Sequence, residues 1–258
     1  MNIISEYKYG KVIYNTNDYY MGTCISEYYE YCDEEITLIN SLINKGDTIL
    51  DVGANIGLMT IPFSKMVGDG GKVISYEPQP EIYYILCGNI AINNLYNVTA
   101  NNVAVGSNKN PVYLPKIDYT KSNNFGGISL LNKGEIEVNQ IMLDDLSFDR
   151  LNLIKIDVET MELNVLSGAY YTIKKHRPFL YVENDRKDYS KPLLEFLFNE
   201  GYDCYWHISY LYKSNNYKNN QINVFNQSYI CVNVLAIPNE KNIKINLTKI
   251  DSPDSWFK

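Results

Sequence analysis

The chain has 258 residues, of which 45% are hydrophobic and 21% charged. This near-average globular usage excludes a disordered, collagenous or coiled-coil protein and suffices for one large α/β domain. With 23 basic against 30 acidic residues the formal net charge is −7, which argues against a protein whose main work is to neutralise phosphate backbones.

Residues 1–45 read as an amino-terminal extension. The opening MNIISEYKYGKVIYN carries Glu6, Lys8 and Lys11 where a signal peptide needs its apolar segment. No window of the chain reaches the roughly eighteen apolar residues of a membrane span. Five cysteines, scattered and without a CxxC pair, fit reduced thiols in a cytoplasmic setting better than a disulfide frame or a zinc site. From Tyr7 to Ile43 a hairpin and an acidic helix are expected, with Ile36, Ile39 and Ile43 on its buried face. This extension either caps a cofactor or makes a homodimer contact.

Residues 46–240 form the main domain and 241–258 a carboxy-terminal tail. Apolar runs bounded by turn residues predict strands at Thr48–Val52, Lys72–Tyr76, Val98–Val105, Leu153–Ile156, Phe179–Val182 and Tyr229–Ile237. Helical periodicity lies between several of them. Ile82, Ile85, Leu86 and Ile90 share one face, as do Met161, Val165, Leu166, Ala169 and Ile173. A third helix is expected with Ser190 as cap, Pro192 in its first turn, Leu193, Leu194, Leu197 and Phe198 following, and Gly201 as its stop. The alternation signifies βαβ units and a mainly parallel, Rossmann-like α/β sheet with helices on both faces. Gly106–Gly134 reads as a loop or irregular hairpin, and residues 209–228 as a polar loop carrying Tyr212, Tyr217 and Phe225.

The sharpest local signal is TILDVGANIG, which ends a strand at Asp51 and opens a helix at Gly57. Gly53 and Gly57 let the backbone turn tightly, and with Ala54 and Asn55 they offer amide groups to a nucleoside cofactor at the carboxyl edge of the sheet. The acid precedes the first glycine, unlike the GxGxxG of a dinucleotide fold, so Asp51 suits an amino group or a water rather than a pyrophosphate. Glu77, ending the next strand in VISYEP, is placed to accept both hydroxyls of an adenosine ribose. NNVAVG places Asn102 and Ala104 where an adenine ring would lie.

These motifs carry a resemblance. DVGANIG (51–57), YEPQP (76–80), NNVAVG (101–106) and LIKIDVE (153–159) are similar, in order, to motifs of the FkbM-type methyltransferases. RPFLYVEND (177–185), YWH (205–207), the segment through Asn223, Val224 and Phe225, and VNVLAIP (232–238) continue the match. The resemblance spans residues 45–240. It implies a class I methyltransferase fold with a seven-stranded sheet, S-adenosylmethionine as cofactor, and methyl transfer to a hydroxyl of a sugar, glycan or small metabolite. One departure is Thr160 with Met161 between Glu159 and Glu162, where the family has a glycine after DVE. It motivates a rival reading, an inactive scaffold of the same fold in glycan synthesis.

Methyl transfer to an alcohol needs alignment of the oxygen and a base within hydrogen-bond reach. The chain has two histidines. His176 precedes a strand on the edge away from the cofactor, whereas His207 lies in the YWH motif and is the candidate base. Asp157 closes the fourth strand, and Glu183 with Asp185 closes the fifth, so these acids share the cofactor's edge. They orient acceptor hydroxyls or, as the less favoured alternative, hold a divalent metal that activates one. Lys155 pairs with one of them. Trp206 and Tyr217 offer faces on which a sugar ring stacks. A dehydrogenase is disfavoured by the missing third glycine, and a nucleic-acid methyltransferase by the absence of an NPPY-like motif and of a basic stripe.

Overall fold

The computed structural model describes residues 1–130, 133–226 and 229–257. The expected segments 106–134, 209–228 and 241–258 each include one or two residues outside that range.

At the amino end β1 (Asn2–Tyr7) and β2 (Gly10–Asn15) form an antiparallel hairpin. Two short helices follow, α1 (Met21–Tyr28) and α2 (Asp33–Asn40). Ile36, Ile39 and Ile43 are buried together against the sheet, as their spacing requires.

Next come β3 (Thr48–Val52), α3 (Thr60–Val67), β4 (Lys72–Tyr76), α4 (Pro80–Ile92) and β5 (Val98–Asn101). Then β6 (Ala104–Val105) pairs with β9 (Gln140–Ile141), and β7 (Val112–Leu114) pairs with β8 (Ile136–Val138). The last third holds β10 (Leu153–Ile156), α5 (Glu162–Ser167), α6 (Tyr170–His176), β11 (Phe179–Glu183), α7 (Lys187–Asn199), β12 (Tyr202–Tyr210), β13 (Ile230–Pro238) and β14 (Thr248–Ile250).

The main sheet runs β14-β12-β13-β11-β10-β3-β4-β5. From β5 to β11 all neighbours are parallel; β13 is antiparallel to β11 and to β12. Both faces are covered, which is why the central strands are continuous apolar runs. Within each strand successive side chains take opposite faces. Ile49, Leu153, Phe179 and Leu235 pack with α2 and α3, while Leu50, Ile154, Leu180 and Val234 pack with α5, α6 and α7.

Five details differ from the sequence expectation. The helix expected through Met161, Val165, Leu166, Ala169 and Ile173 is divided into α5 and α6 at Gly168 and Ala169. The main sheet has eight strands rather than seven, because the tail segment Thr248–Ile250 pairs with β12 and buries only Ile250. The run 98–105 breaks after Asn101, where the Asn102 amide donates to the carbonyls of Glu77 (2.8 Å) and Pro78 (3.1 Å) and turns the chain off the sheet. Helix α3 opens at Thr60 and not at Gly57, since Asn55 (φ 49°) and Gly57 (φ 91°) take left-handed conformations that a helix cannot continue through. Helix α7 starts at Lys187, three residues before Ser190, which accepts a bond from Asn184 instead of capping. Pro192 thus sits inside the helix, where the burial of Leu193, Leu194 and Leu197 outweighs the hydrogen bond it removes.

Candidate active site

The parallel strands end on one edge of the sheet, and there a cleft of about 350 Å³ opens. Its floor is the turn after β3. Gly53 has φ 78°, and a Cβ on it would stand 1.8 Å from the Asp157 carbonyl oxygen. Only glycine lets this turn lie against the end of β10. The amides of Gly53 and Ala54 donate to the Tyr76 carbonyl at 3.0 and 2.9 Å, that of Gly57 to the Ala54 carbonyl and that of Asn55 to Glu77, so the amides expected to meet a cofactor are instead spent within the turn and on tying it to the end of β4.

Glu77 follows directly. Its Oε2 accepts the Asn55 amide at 2.9 Å and its Oε1 the Gln79 amide at 2.8 Å. Burial pushes its carboxyl up to about 7, against the two amides that favour the charge. Each carboxylate oxygen has a second lone pair, so Glu77 can still receive two donors from a ligand in the cleft.

Behind the turn lies Lys155, whose ammonium is 3.1 Å from Asp157 Oδ2 and 3.7 Å from Asp51 Oδ1, and donates to the Gly53 carbonyl at 3.2 Å. Burial opposes its charge, but Asp157 and Asp51 outweigh that and raise its pKa. Asp51 is itself completely buried, accepting the Thr60 hydroxyl at 2.6 Å on Oδ2.

The adjoining wall, at the ends of β10 and β11, is acidic. Asp157, Glu159, Glu183 and Asp185 line it together with Arg186, which pairs with Glu159. Burial and the neighbouring Asp157 push Glu159 up to about 7. Burial, then Asp157 and Asp185, raise Glu183 well above the carboxylate range. Like charges so crowded favour keeping protons among them near neutral pH. Next to Glu159 in the chain, Thr160 has φ 79°. A β-branched residue is strained in that conformation, and its place in the chain is the one where the resemblance calls for glycine.

The third wall comes from distant sequence. Tyr20, Met21, Tyr31, Cys32 and Glu35 of the extension reach the cleft, as do Asn124, Gly126 and Gly127 of the long loop. The loop is stitched down by Asn123 N to the Asn17 carbonyl (3.0 Å) and by the Gln79 side chain to the Phe125 carbonyl (2.9 Å). The extension therefore supplies part of the cleft's lining.

Of the residues singled out from the sequence, Gly53, Ala54, Asn55, Glu77, Ala104, Asp157, Glu183 and Asp185 line this one cleft. Asp51, Gly57 and Asn102 do not: Asp51 braces Lys155 from below, Gly57 shapes the turn, and Asn102 holds the chain beyond β4. Trp206 is buried on the far face of the sheet against Trp256 and Phe257. Tyr217 is exposed on its loop, its amide bound to Glu30. His207 stops short of the cleft, its Nδ1 2.7 Å from the buried Tyr181 hydroxyl, and burial lowers its pKa. The expected direct contacts of Trp206, Tyr217 and His207 with an acceptor are thus not what their positions give. Sequence reading missed Tyr31, Cys32, Glu35, Arg186, Cys231 and Asn233, all of which line the cleft. An acid in YEP has a motif to announce it; these have none.

S-adenosylmethionine, the cofactor implied by the family resemblance, fits this arrangement. The glycine turn lines the cleft, and the buried Glu77 carboxylate retains two acceptor sites of the kind a ribose diol needs.

The chain is 26% identical over 155 residues to Methyltransferase sdnD of Sordaria araneosa, a match over 47% of this chain and 60% of that protein. The chain thus spans less than two thirds of that relative. Among solved structures, the FkbM methyltransferase of Methylobacillus flagellatus KT is 18% identical, with 73% of this chain and 43% of that one covered and a TM-score of 0.45. A precorrin-6y C5,15-methyltransferase of Geobacter metallireducens GS-15 is 15% identical, with 80% and 87% covered and a TM-score of 0.49. A sequence profile of the methyltransferase FkbM domain matches residues 51–204, from the acid beneath the glycine turn into β12. As that match takes in more than half of the chain, the protein belongs to the FkbM methyltransferase family.

Proposed function

We propose that this protein is an S-adenosylmethionine-dependent O-methyltransferase whose acceptor is a hydroxyl of a sugar, glycan or small metabolite. The observation that carries the reading is one cleft at which the glycine turn and Glu77, at the ends of β3 and β4, adjoin Asp157, Glu183 and Asp185, at the ends of β10 and β11. In this reading Gly53, Ala54, Asn55, Glu77 and Ala104 hold the nucleoside, and the acids hold the acceptor.

S-adenosylmethionine, when bound, supplies a methyl group already activated on a sulfonium sulfur. The work left to the chain is positioning and proton transfer. Asp157, fixed by its bond with Lys155, orients the acceptor hydroxyl. A carboxylate of the Glu159 and Glu183 group takes the hydroxyl proton, since burial and repulsion raise these acids toward neutral pH, where a base is most effective. His207 acts as a positioning residue through Tyr181. A wall of this sign repels a phosphate backbone, which supports a small or glycan acceptor over nucleic acid. Among the described residues no helix is long and apolar enough to cross a membrane.

The test is release of S-adenosylhomocysteine from S-adenosylmethionine with a panel of sugars, nucleotide sugars and hydroxylated metabolites. Turnover with one of them is expected. Tight binding of S-adenosylmethionine without release on any acceptor would favour the scaffold reading that the strained Thr160 motivates, and stabilisation by NAD alone would remove both.

A further inference from the structure

Three side chains of the cleft have no part in the function proposed above: Cys32 at the start of α2, Glu35 one turn on, and Cys231 on β13. The two sulfurs lie 3.4 Å apart. One ligand atom from each of the three residues lies within 4.8 Å of the other two, and no other group of His, Cys, Asp and Glu side chains among the described residues meets that condition. Two sulfurs on a tetrahedral ion, each bonded at about 2.3 Å, stand about 3.8 Å apart. The observed separation is close to that edge and far beyond a sulfur–sulfur bond of about 2.05 Å.

We propose that Cys32, Glu35 and Cys231 bind one thiophilic divalent cation of the zinc class, with its fourth position open to the cleft. Two thiolates and one carboxylate are the donor set of a borderline-soft ion, whereas magnesium and calcium take oxygen alone. Three protein ligands with a cleft at the fourth position is the pattern of a zinc site that keeps a place for an exchangeable oxygen.

The surroundings are built to orient the ligands. Glu35 is buried, and its Oε1 accepts both the Ser209 hydroxyl (2.7 Å) and the Asn233 amide (3.1 Å). Tyr181, buried near Glu35, meets His207 at 2.7 Å behind these partners. Metal-ligating carboxylates are characteristically held by partners of this sort. Cys32 has φ 44°, a left-handed conformation that non-glycine residues rarely adopt and that persists only where the surroundings enforce it. Its thiol lies against both Cys231 and Glu35. Binding would replace the two thiol protons, which leave to solvent as the thiolates form.

At the fourth position the ion would hold the acceptor oxygen and lower its pKa. That placement rests on the methyltransferase reading; binding of the ion does not.

The experiment uses the full chain, reduced and freed of metal by a chelator. Zn2+ is titrated by calorimetry and Co2+ by absorbance, with S-adenosylmethionine binding measured separately so that loss of one reading leaves the other intact. Expected are one equivalent of metal per chain and a thiolate-to-cobalt charge-transfer band with visible bands of tetrahedral geometry. C32S and C231S should each weaken Zn2+ binding by on the order of 100-fold, while C87S leaves it unchanged. Should a variant fail to fold, alkylation of the native chain decides: bound Zn2+ should protect Cys32 and Cys231 but not Cys87. Absence of the thiolate band, Zn2+ binding equal in C32S and the native chain, or equal alkylation with and without Zn2+ would overturn the proposal. So would a Cys32–Cys231 disulfide that forms in glutathione buffer and is indifferent to Zn2+.

Discussion

The Lys155 ammonium lies 3.7 Å from a carboxylate oxygen of Asp51, and Asp51 is fully buried beneath the glycine turn. That oxygen has no hydrogen-bond partner among the described residues. Its charge is offset by Lys155 and by the Thr60 hydroxyl on the other oxygen. Lys155→Met should therefore cost about 3 kcal/mol or more, because it strands a buried carboxylate. Asp51→Asn should cost less than Lys155→Met, since Lys155 keeps Asp157. Chemical denaturation of the two variants measures the order, and equal losses would contradict it.

Glu77 gives the pH dependence. Its folded carboxyl sits at about 7, above the ordinary 4.5. Between those values the folded chain holds a proton that the unfolded chain has lost. The group's contribution to stability is therefore fully present below the unfolded value and is lost as pH rises to about 7. Binding of a ribose diol needs the ionised form, so S-adenosylmethionine should bind about tenfold more weakly at pH 6 than at pH 8. Calorimetry at the two pH values reads this directly. Glu77→Gln should bind at least about tenfold more weakly at pH 8 and show a flat profile.

Thr160 offers a substitution expected to stabilise. At φ 79° its β-branched side chain carries strain that glycine lacks. After allowance for the extra freedom glycine gives the unfolded chain, Thr160→Gly should gain about 1 kcal/mol. A lower melting temperature in T160G would show that the threonine makes a compensating contact.

His207→Ala separates positioning from contact. Removing the imidazole leaves the buried Tyr181 hydroxyl without that partner and should cost about 1–3 kcal/mol of stability. Affinity for S-adenosylmethionine should stay within about twofold, because no atom of His207 faces the cleft. Melting curves and calorimetry on one preparation test both halves.

The donor half of the cleft was legible because topology dictates it. Parallel strands end together, so Gly53, Glu77, Asp157 and Glu183 had to meet at one edge once their strands were recognised. The YWH motif misled for an equally simple reason. Neighbouring residues on a strand face opposite sides, so Trp206 joins the core under α7 while His207 turns toward Tyr181, and both cannot enter the same cleft. Cys32 and Cys231 are 199 residues apart and belong to no spacing pattern. Only the docking of the extension onto β13 brings them together. Strand β14 was invisible because just one of its three residues is buried.

The extension has a consequence for the family. The shared profile begins at Asp51 and ends at Cys204, so it contains the glycine turn, Glu77 and the acids but none of Tyr20, Tyr31, Cys32, Glu35 or Cys231. The larger part of the binding chamber thus lies inside the family profile, and the rest comes from the segments that flank it. Exchanging those flanking segments would therefore reshape one side of the chamber and leave the glycine turn and Glu77 as they are.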